Sequence, residues 1–415
     1  MKTSKLFIAG LCFSALGLFS CSDEEKSPYT ELTPDEHKEQ LEKIGLNIAN
    51  KIKPEVQKDL VETLDAFIEY SDGLYIEDNG ENAADLAKTL KSICGNNELA
   101  KVSNLTRASE SELYSLARYA GIYTLSGGYN WDKTDATDKL EFIFDVDGKN
   151  ASIKITKEGE EQRFDAYDDD QTSYSVMVPE KSKADITLDG KTLLSLVCNM
   201  KVDNSAKTVL SDITIDANGY KYTENIDVKS DKASTSLTFS IDGEKIAEAN
   251  ASINGKDMTN GDVIDDNIDN ETIQNMFGKG KAEVIVTDGK DGVRLTGLVS
   301  DVKGLVNKLD KLYNVVWEEE NTLAHQIKVA EAYNEFINGE MYYTNGDNVI
   351  ARFNMQAYDD SDEYYEEYGV EPILTFEKDG SKFSFESYFD EISFQGLVDK
   401  VEELGDEYDA YLKFN

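Results

Sequence analysis

The chain predicts an α+β protein built mostly on antiparallel strands. Three observations carry this: apolar residues recur at helical spacing before residue 120, alternation of period two begins at Gly121, and Asp-Gly or Asn-Gly pairs punctuate the alternating segments. The expected order is an N-terminal helical region, an antiparallel β-meander, a long helix or helix pair, a second small antiparallel sheet and a C-terminal helix.

The stretch "LTPDEHKEQLEKIGLNIANKI" opens the helical region, residues 33–120. Thr33 is placed as N-cap, Pro34 as the first helical residue and Glu36 three residues on, which is the capping-box arrangement. Leu41, Ile44, Ile48 and Ile52 then form one apolar stripe. Pro54 interrupts it, and Val56, Leu60, Leu64, Phe67 and Ile68 continue it as a second helix.

The meander is expected over residues 121–299. Asp147-Gly148, Asp189-Gly190, Asn218-Gly219, Asp242-Gly243, Asn254-Gly255 and Asp288-Gly289 supply the positive φ angles of tight hairpins. Tyr220, Tyr222, Ile226 and Val228 point to one face, while Lys221, Thr223, Asn225, Asp227 and Lys229 point to the other. A sheet with one wet face must cover its second face, and the flanking helices are the expected cover. Ala247, Ala249, Ala251 and Ile253 form a row of small residues on which a helix or a ligand could approach closely, and a packed helix is expected.

Residues 300–415 add one or two long helices up to Asn338-Gly339. Strands follow within 340–358 and 371–390, with a turn at Asp379-Gly380, and the last helix carries Phe394, Leu397, Val398, Val401 and Leu404.

The N-terminus carries an address. Lys2 and Lys5 precede an apolar run from Leu6 to Phe19, shorter than the roughly 20 residues a spanning helix needs. Leu18 and Ser20 then lead into Cys21, and this junction resembles the lipobox of bacterial lipoproteins. The resemblance implies that residues 1–20 are a signal peptide, that Cys21 is lipidated, and that residues 21–32 are a tether. Ser22, Asp23, Glu24 and Glu25 resemble the acidic export signal of Bacteroidetes-type surface lipoproteins, which implies an outer-membrane protein facing the cell exterior. The likeness is confined to the first 25 or so residues and carries no chemistry.

The formal net charge is −40, and loss of residues 1–20 would bring it near −42. Such charge repels nucleic acid and anionic lipid, so the membrane partner is expected only through the lipid anchor. With 40% hydrophobic residues the chain can bury a core. Beyond the signal and Cys21 two cysteines remain, Cys94 and Cys198, both on apolar faces, and they are read as separately buried thiols.

Catalytic parts are scarce. His37 and His325 are the two histidines, the first expected in a solvated first turn and the second inside a helix; neither has a nucleophile in context. There is no zinc motif and no phosphate loop. No cofactor is expected, with structural calcium the one ion considered, on Asp262, Asp265, Asp266, Asn267 and Asp269 of "GDVIDDNIDNE". That stretch departs from the EF-hand at Asn270 and Met276. A second cluster interleaves Tyr358, Tyr364, Tyr365 and Tyr368 with acids, the kind of surface that stacks on sugars or enters a protein interface. The expected function is a surface-anchored, non-catalytic lipoprotein that binds an extracellular glycan, protein or host component. Alternatives are a carrier of an apolar or lipid ligand, and a carbohydrate-active hydrolase using paired carboxylates.

Overall fold

A computed structural model describes residues 30–71, 75–76, 81–82, 113–114, 116–167, 173–203, 208–256, 258, 276–315, 321–362, 365–376 and 380–412. The expected helix around Cys94 lies outside these residues.

Helix α1 (Pro34–Ala49) starts as its sequence requires. The Thr33 hydroxyl accepts from the Glu36 backbone N–H, and the Glu36 carboxylate accepts from the Thr33 N–H at 2.7 Å. Helix α2 (Pro54–Ser71) follows at the expected proline. Short pieces β1 (Tyr75–Ile76), β2 (Glu81–Asn82), β3 (Leu113–Tyr114) and α3 (Leu116–Tyr119) lead into the sheet. Its strands are β4 (Gly121–Leu125), β5 (Trp131–Thr134), β6 (Lys139–Val146), β7 (Lys149–Tyr167), β8 (Ser173–Leu188), β9 (Lys191–Asp203), β10 (Thr208–Ala217), β11 (Tyr220–Val228), β12 (Lys232–Ile241), β13 (Glu244–Gly255), β14 (Phe277–Thr287) and β15 (Gly292–Val299). Helices α4 (Val302–Tyr313) and α5 (Leu323–Phe336) intervene before β16 (Ile337–Tyr343), β17 (Val349–Asp359), β18 (Tyr368–Thr375) and β19 (Lys382–Ser384). Helices α6 (Phe385–Tyr388) and α7 (Gln395–Asp409) end the described chain.

From β6 to β19 each strand pairs antiparallel with the next, making one barrel-like sheet. Strand β4 adds parallel to β6 and antiparallel to β5. Among the described residues no ladder joins β5 to β19. The expected second small sheet is therefore not separate. Val293 faces Tyr343 and Gly297 faces Gly339, so β16 continues the ladder directly from β15. Helices α4 and α5 bridge two neighbouring strands; they do not divide two sheets.

Four of the anticipated turns, at 147–148, 189–190, 218–219 and 242–243, have positive φ at both positions and join strands by two residues. Asp288-Gly289 belongs to a longer link in which the Asp288 carboxylate accepts from the N–H groups of Lys290 and Asp291. Asn254-Gly255 is no turn. Gly255 pairs with Phe277 beside a register shift, and a Cβ there would come within 2.6 Å of the Met276 carbonyl oxygen, so the glycine serves a close approach of backbones.

Helices α1 and α2 run along one rim of the sheet and meet the hairpin tips in reverse chain order. His37 meets Tyr343, Asn47 donates to Asp288, Lys51 pairs with Glu244, and Lys53 pairs with Asp242. The Lys53 N–H donates to the Tyr220 hydroxyl, Gln57 donates to the Ala217 carbonyl, and Asp59 faces Lys149 and Lys191. Finally the Trp131 indole donates to the Tyr70 carbonyl. Hairpin tips recur about every 10 Å, which a helix covers in about six residues, so one bent helical rod can serve the whole series.

The same rod supplies the core. Leu60, Ala66 and Phe67 of α2 pack on the inner side chains Phe144, Ala151, Ile186 and Leu188 of the N-terminal strands. At the other end Leu41 of α1 packs with Met341, Ala351, Phe353 and Leu374, where Tyr388 of α6 also buries its ring. Helix α7 closes over the rod, and Gly45 of α1 leaves just enough room for Leu397.

Histidine 37 departs from expectation. It is fully buried, with Nδ1 2.8 Å from the Tyr343 hydroxyl and Nε2 2.6 Å from the Thr30 hydroxyl. The first turn of α1 faces the sheet there, so the position is core and not solvent. His325 is buried as well, near the start of α5.

Candidate functional site

Cross-strand partners lie on one face, so the registers define the inner surface strand by strand. From β9 to β15 it carries Leu194, Leu196, Cys198 and Met200, then Ser211, Ile213 and Ile215, then Tyr222, Glu224 and Ile226. Next come Leu237 and Phe239, then Ala247, Ala249 and Ala251, then Ala282, Val284 and Val286, and finally Val293 and Leu295. Charged side chains are rare on this face: Glu224 stands mid-strand on β11, and Glu244 faces Ile241 at the start of β13.

The outer face is the reverse. Lys221, Asp227, Glu248, Lys281 and Glu283 occupy it, and Lys245 together with Asn250 holds the Glu248 carboxylate below the usual range. Alternation of period two therefore sorts charge outward and apolar groups inward, as the sequence implies for Tyr222 and Lys221.

Burial along the inner face is uneven. On β9 and β10, Cys198 is 3% exposed, and Met200, Ile213 and Ser211 are also buried. From β11 to β14, however, Tyr222, Ile226, Leu237, Phe239, the three alanines, Val284 and Val286 are all only half-buried. Of the helices that pack on the sheet, α2 contacts mainly β6, β8 and β9, α5 mainly β16 to β18, and α4 lies against β14. The helix expected over Ala247, Ala249 and Ala251 is thus not found among the described residues. Among the described residues, what remains is an apolar trough about four strands wide, with the alanines in the middle, Tyr222 and Phe239 on one side and Val284 and Val286 on the other.

One polar knot interrupts it. The Tyr222 hydroxyl donates to Glu224 Oε2 at 2.7 Å. Burial, and then the neighbouring carboxylate, push the Tyr222 phenol above the usual tyrosine range. Ser211 lies on the next strand opposite Ile226, 2% exposed, and its hydroxyl has no hydrogen-bond partner.

The residues singled out by sequence are placed otherwise. Tyr358 stands on the outer face of β17 with its ring close over Gly369, and Tyr368 pairs with Asp359 on the opposite face. Tyr365 is 65% exposed in the connecting loop, where its N–H donates to Asp362. Tyr364 lies outside the described residues; of the described three, Tyr358 and Tyr368 stand on opposite faces. Cys21, Ser22, Asp23, Glu24 and Glu25 are also outside them, as are Asp262, Asp265, Asp266, Asn267 and Asp269. Among the described residues no group of three or more His, Cys, Asp or Glu side chains is arranged to hold a metal ion. No described helix is long and apolar enough to cross a membrane.

Sequence reasoning missed Glu224 and Ser211. A signal existed: in "YKYTENIDV" a glutamate occupies a position whose neighbours at two-residue spacing are Tyr222 and Ile226.

No known protein family, curated protein or solved structure matches this chain.

Proposed function

We propose that this protein is a non-catalytic binding lipoprotein of the outer-membrane surface, and that the inner face of β11 to β14 takes an apolar or amphipathic ligand. The observation that carries this reading is the half-buried apolar trough in a chain of net charge −40. Apolar surface left half-exposed is costly in water, at roughly 25 cal/mol for each Å², and contiguous apolar patches mark binding surfaces. Its small-residue floor leaves depth for a chain between the walls.

The address rests on the lipobox-like and acidic residues 16–25. Thr30 donates its N–H to the Val349 carbonyl at the helix rim, and the span from Cys21 to Thr30 reaches at most about 30 Å. An acylated Cys21 would hold the helix rim toward the membrane and the opposite rim away from it.

The test is titration with the uncharged apolar fluorophore N-phenyl-1-naphthylamine. Saturable enhancement is expected, weakened roughly tenfold or more by Ala249→Phe on the trough floor and unchanged by Lys221→Ala on the outer face. Absence of saturable enhancement, or equal binding by wild type and Ala249→Phe, would overturn the reading.

A further inference from the structure

Two arginines stand on the outer face of β15 to β17, and the sheet treats them differently. Arg352 lies opposite Glu340, with Nε donating to Oε1 at 2.7 Å and the side chain 11% exposed. The other Glu340 oxygen accepts from the Tyr342 hydroxyl. A carboxylate across the ladder thus closes this arginine. Arg294 is the contrast. Its guanidinium lies over the Tyr342 ring, 4.7 Å from the centre, yet among the described residues it makes no ion pair and no hydrogen bond.

We infer that Arg294 is a receptor for a single carboxylate carried on a hydroxyl-rich body, that is, an acidic sugar. The site lies on the face opposite the apolar trough and does not depend on it.

With 82 acidic residues in the sequence, an arginine left without a carboxylate does not reflect a shortage of partners. Glu283 stands nearby, opposite Thr296 on the adjacent strand, and does not pair with Arg294. Glu340 is taken by Arg352 and Tyr342. The Arg294 Nε–H is enclosed without a partner, whereas its two terminal nitrogens are not enclosed. Buried donors are nearly always satisfied, so a guanidinium that the protein leaves open on every nitrogen gains when an anion meets it. Stacking on Tyr342 holds its plane, and the two terminal nitrogens then match the two oxygens of a planar carboxylate. The choice among anions follows from the net charge of −40, which opposes each negative charge that approaches and so favours a singly charged carboxylate over a doubly charged phosphate. The choice of body follows from the next cross-strand row, where Glu283 and Thr296 offer acceptors to sugar hydroxyls and where an acidic peptide would bring like charge.

Nuclear magnetic resonance of the arginine Nε–H groups in the full chain tests this. The sequence has five arginines, so the spectrum is sparse, and Arg294→Lys and Arg352→Lys assign the two signals that matter. At physiological salt, which screens the general negative field, galacturonate should displace the Arg294 signal saturably and leave the Arg352 signal in place. Galactose, which lacks the carboxylate, should displace neither. Arg294→Lys keeps the charge and loses the fork; galacturonate binding, read on the resonances of the sugar, should weaken about tenfold or more, with the thermal midpoint unchanged. An Arg294 signal that galacturonate does not move, or that galactose moves equally, overturns the inference. Acetylglycine, a carboxylate without hydroxyls, overturns the sugar assignment if it binds as tightly as galacturonate, and inorganic phosphate overturns the carboxylate assignment if it binds more tightly. The fluorophore titration of the trough should be the same in wild type and Arg294→Lys, so either reading can fail without the other.

Discussion

At the scale of single residues, Asp288 shows how burial and hydrogen bonding compete. Its burial alone would raise the carboxyl pKa, but the N–H groups of Asp291 and Lys290, the Asn47 amide and the charge of Lys51 outweigh it and hold the group below the usual aspartate range. A carboxyl depressed in the folded state stabilises the fold above its unfolded pKa, and that contribution is lost as pH falls through the lower folded value. Urea unfolding of wild type and Asp288→Asn should therefore show wild type more stable at neutral pH, with the gap narrowing as pH falls below the ordinary aspartate range. A gap independent of pH would mean that the carboxylate charge has no part in the turn. His37 makes the complementary point. Nothing in its sequence neighbourhood distinguishes it from a wet first-turn residue, because the partners that bury it, Tyr343 and Phe376, lie some three hundred residues away in the chain.

At the scale of elements, Gly243 and Gly255 look alike in sequence, each following Asp or Asn between alternating segments, yet they answer different needs. Gly243 has φ of +81° and nothing within 4 Å of where a Cβ would stand. Gly243→Ala should accordingly cost only the left-handed backbone penalty, about 1–2 kcal/mol. Gly255→Ala should cost more, because the Met276 carbonyl lies 2.6 Å from the added atom and backbone must move. Equal losses in thermal unfolding of the two variants would contradict this division. The pair also shows what was legible. Capping box, proline break and two-residue hairpins are local chemistry, and α1, α2 and four primed turns stand where that chemistry puts them. Sheet membership is not local. Whether β16 pairs with β15 or starts a new sheet depends on a register closed across an intervening helix pair, and no residue within β16 records it. The candidate site was half legible for the same reason: alternation showed Tyr222 and the alanine row facing one way, but only the ladders place Glu224 beside Ile213 and the alanines between Leu237 and Val284.

At the scale of the whole molecule, charge is the dominant asymmetry. The sequence has 82 acidic residues against 42 basic ones, and alternation drives charged side chains of the strands to the outer face, where they crowd one another. Many of the ion pairs are exposed, such as Lys53 with Asp242 and Lys181 with Glu158, and pairs of that kind contribute little, roughly 0–1 kcal/mol each. Self-repulsion of the excess acid therefore outweighs attraction within pairs. Salt screens both, over about 10 Å at 0.1 M, and the longer-ranged repulsion loses more than the contacting pairs do. The sign follows: the midpoint of thermal unfolding should rise as sodium chloride is increased from about 0.01 M to about 0.3 M at neutral pH, since the unfolded chain spreads its charges and the folded one cannot. Calorimetric scans across that range check it, with sodium sulfate avoided because it strengthens apolar burial by a separate route. A midpoint that falls with salt would mean that the ion pairs joining helix rod to hairpin tips, Lys51 with Glu244 and Asp59 with Lys149 and Lys191, hold the curl of the sheet more strongly than the net charge opposes it.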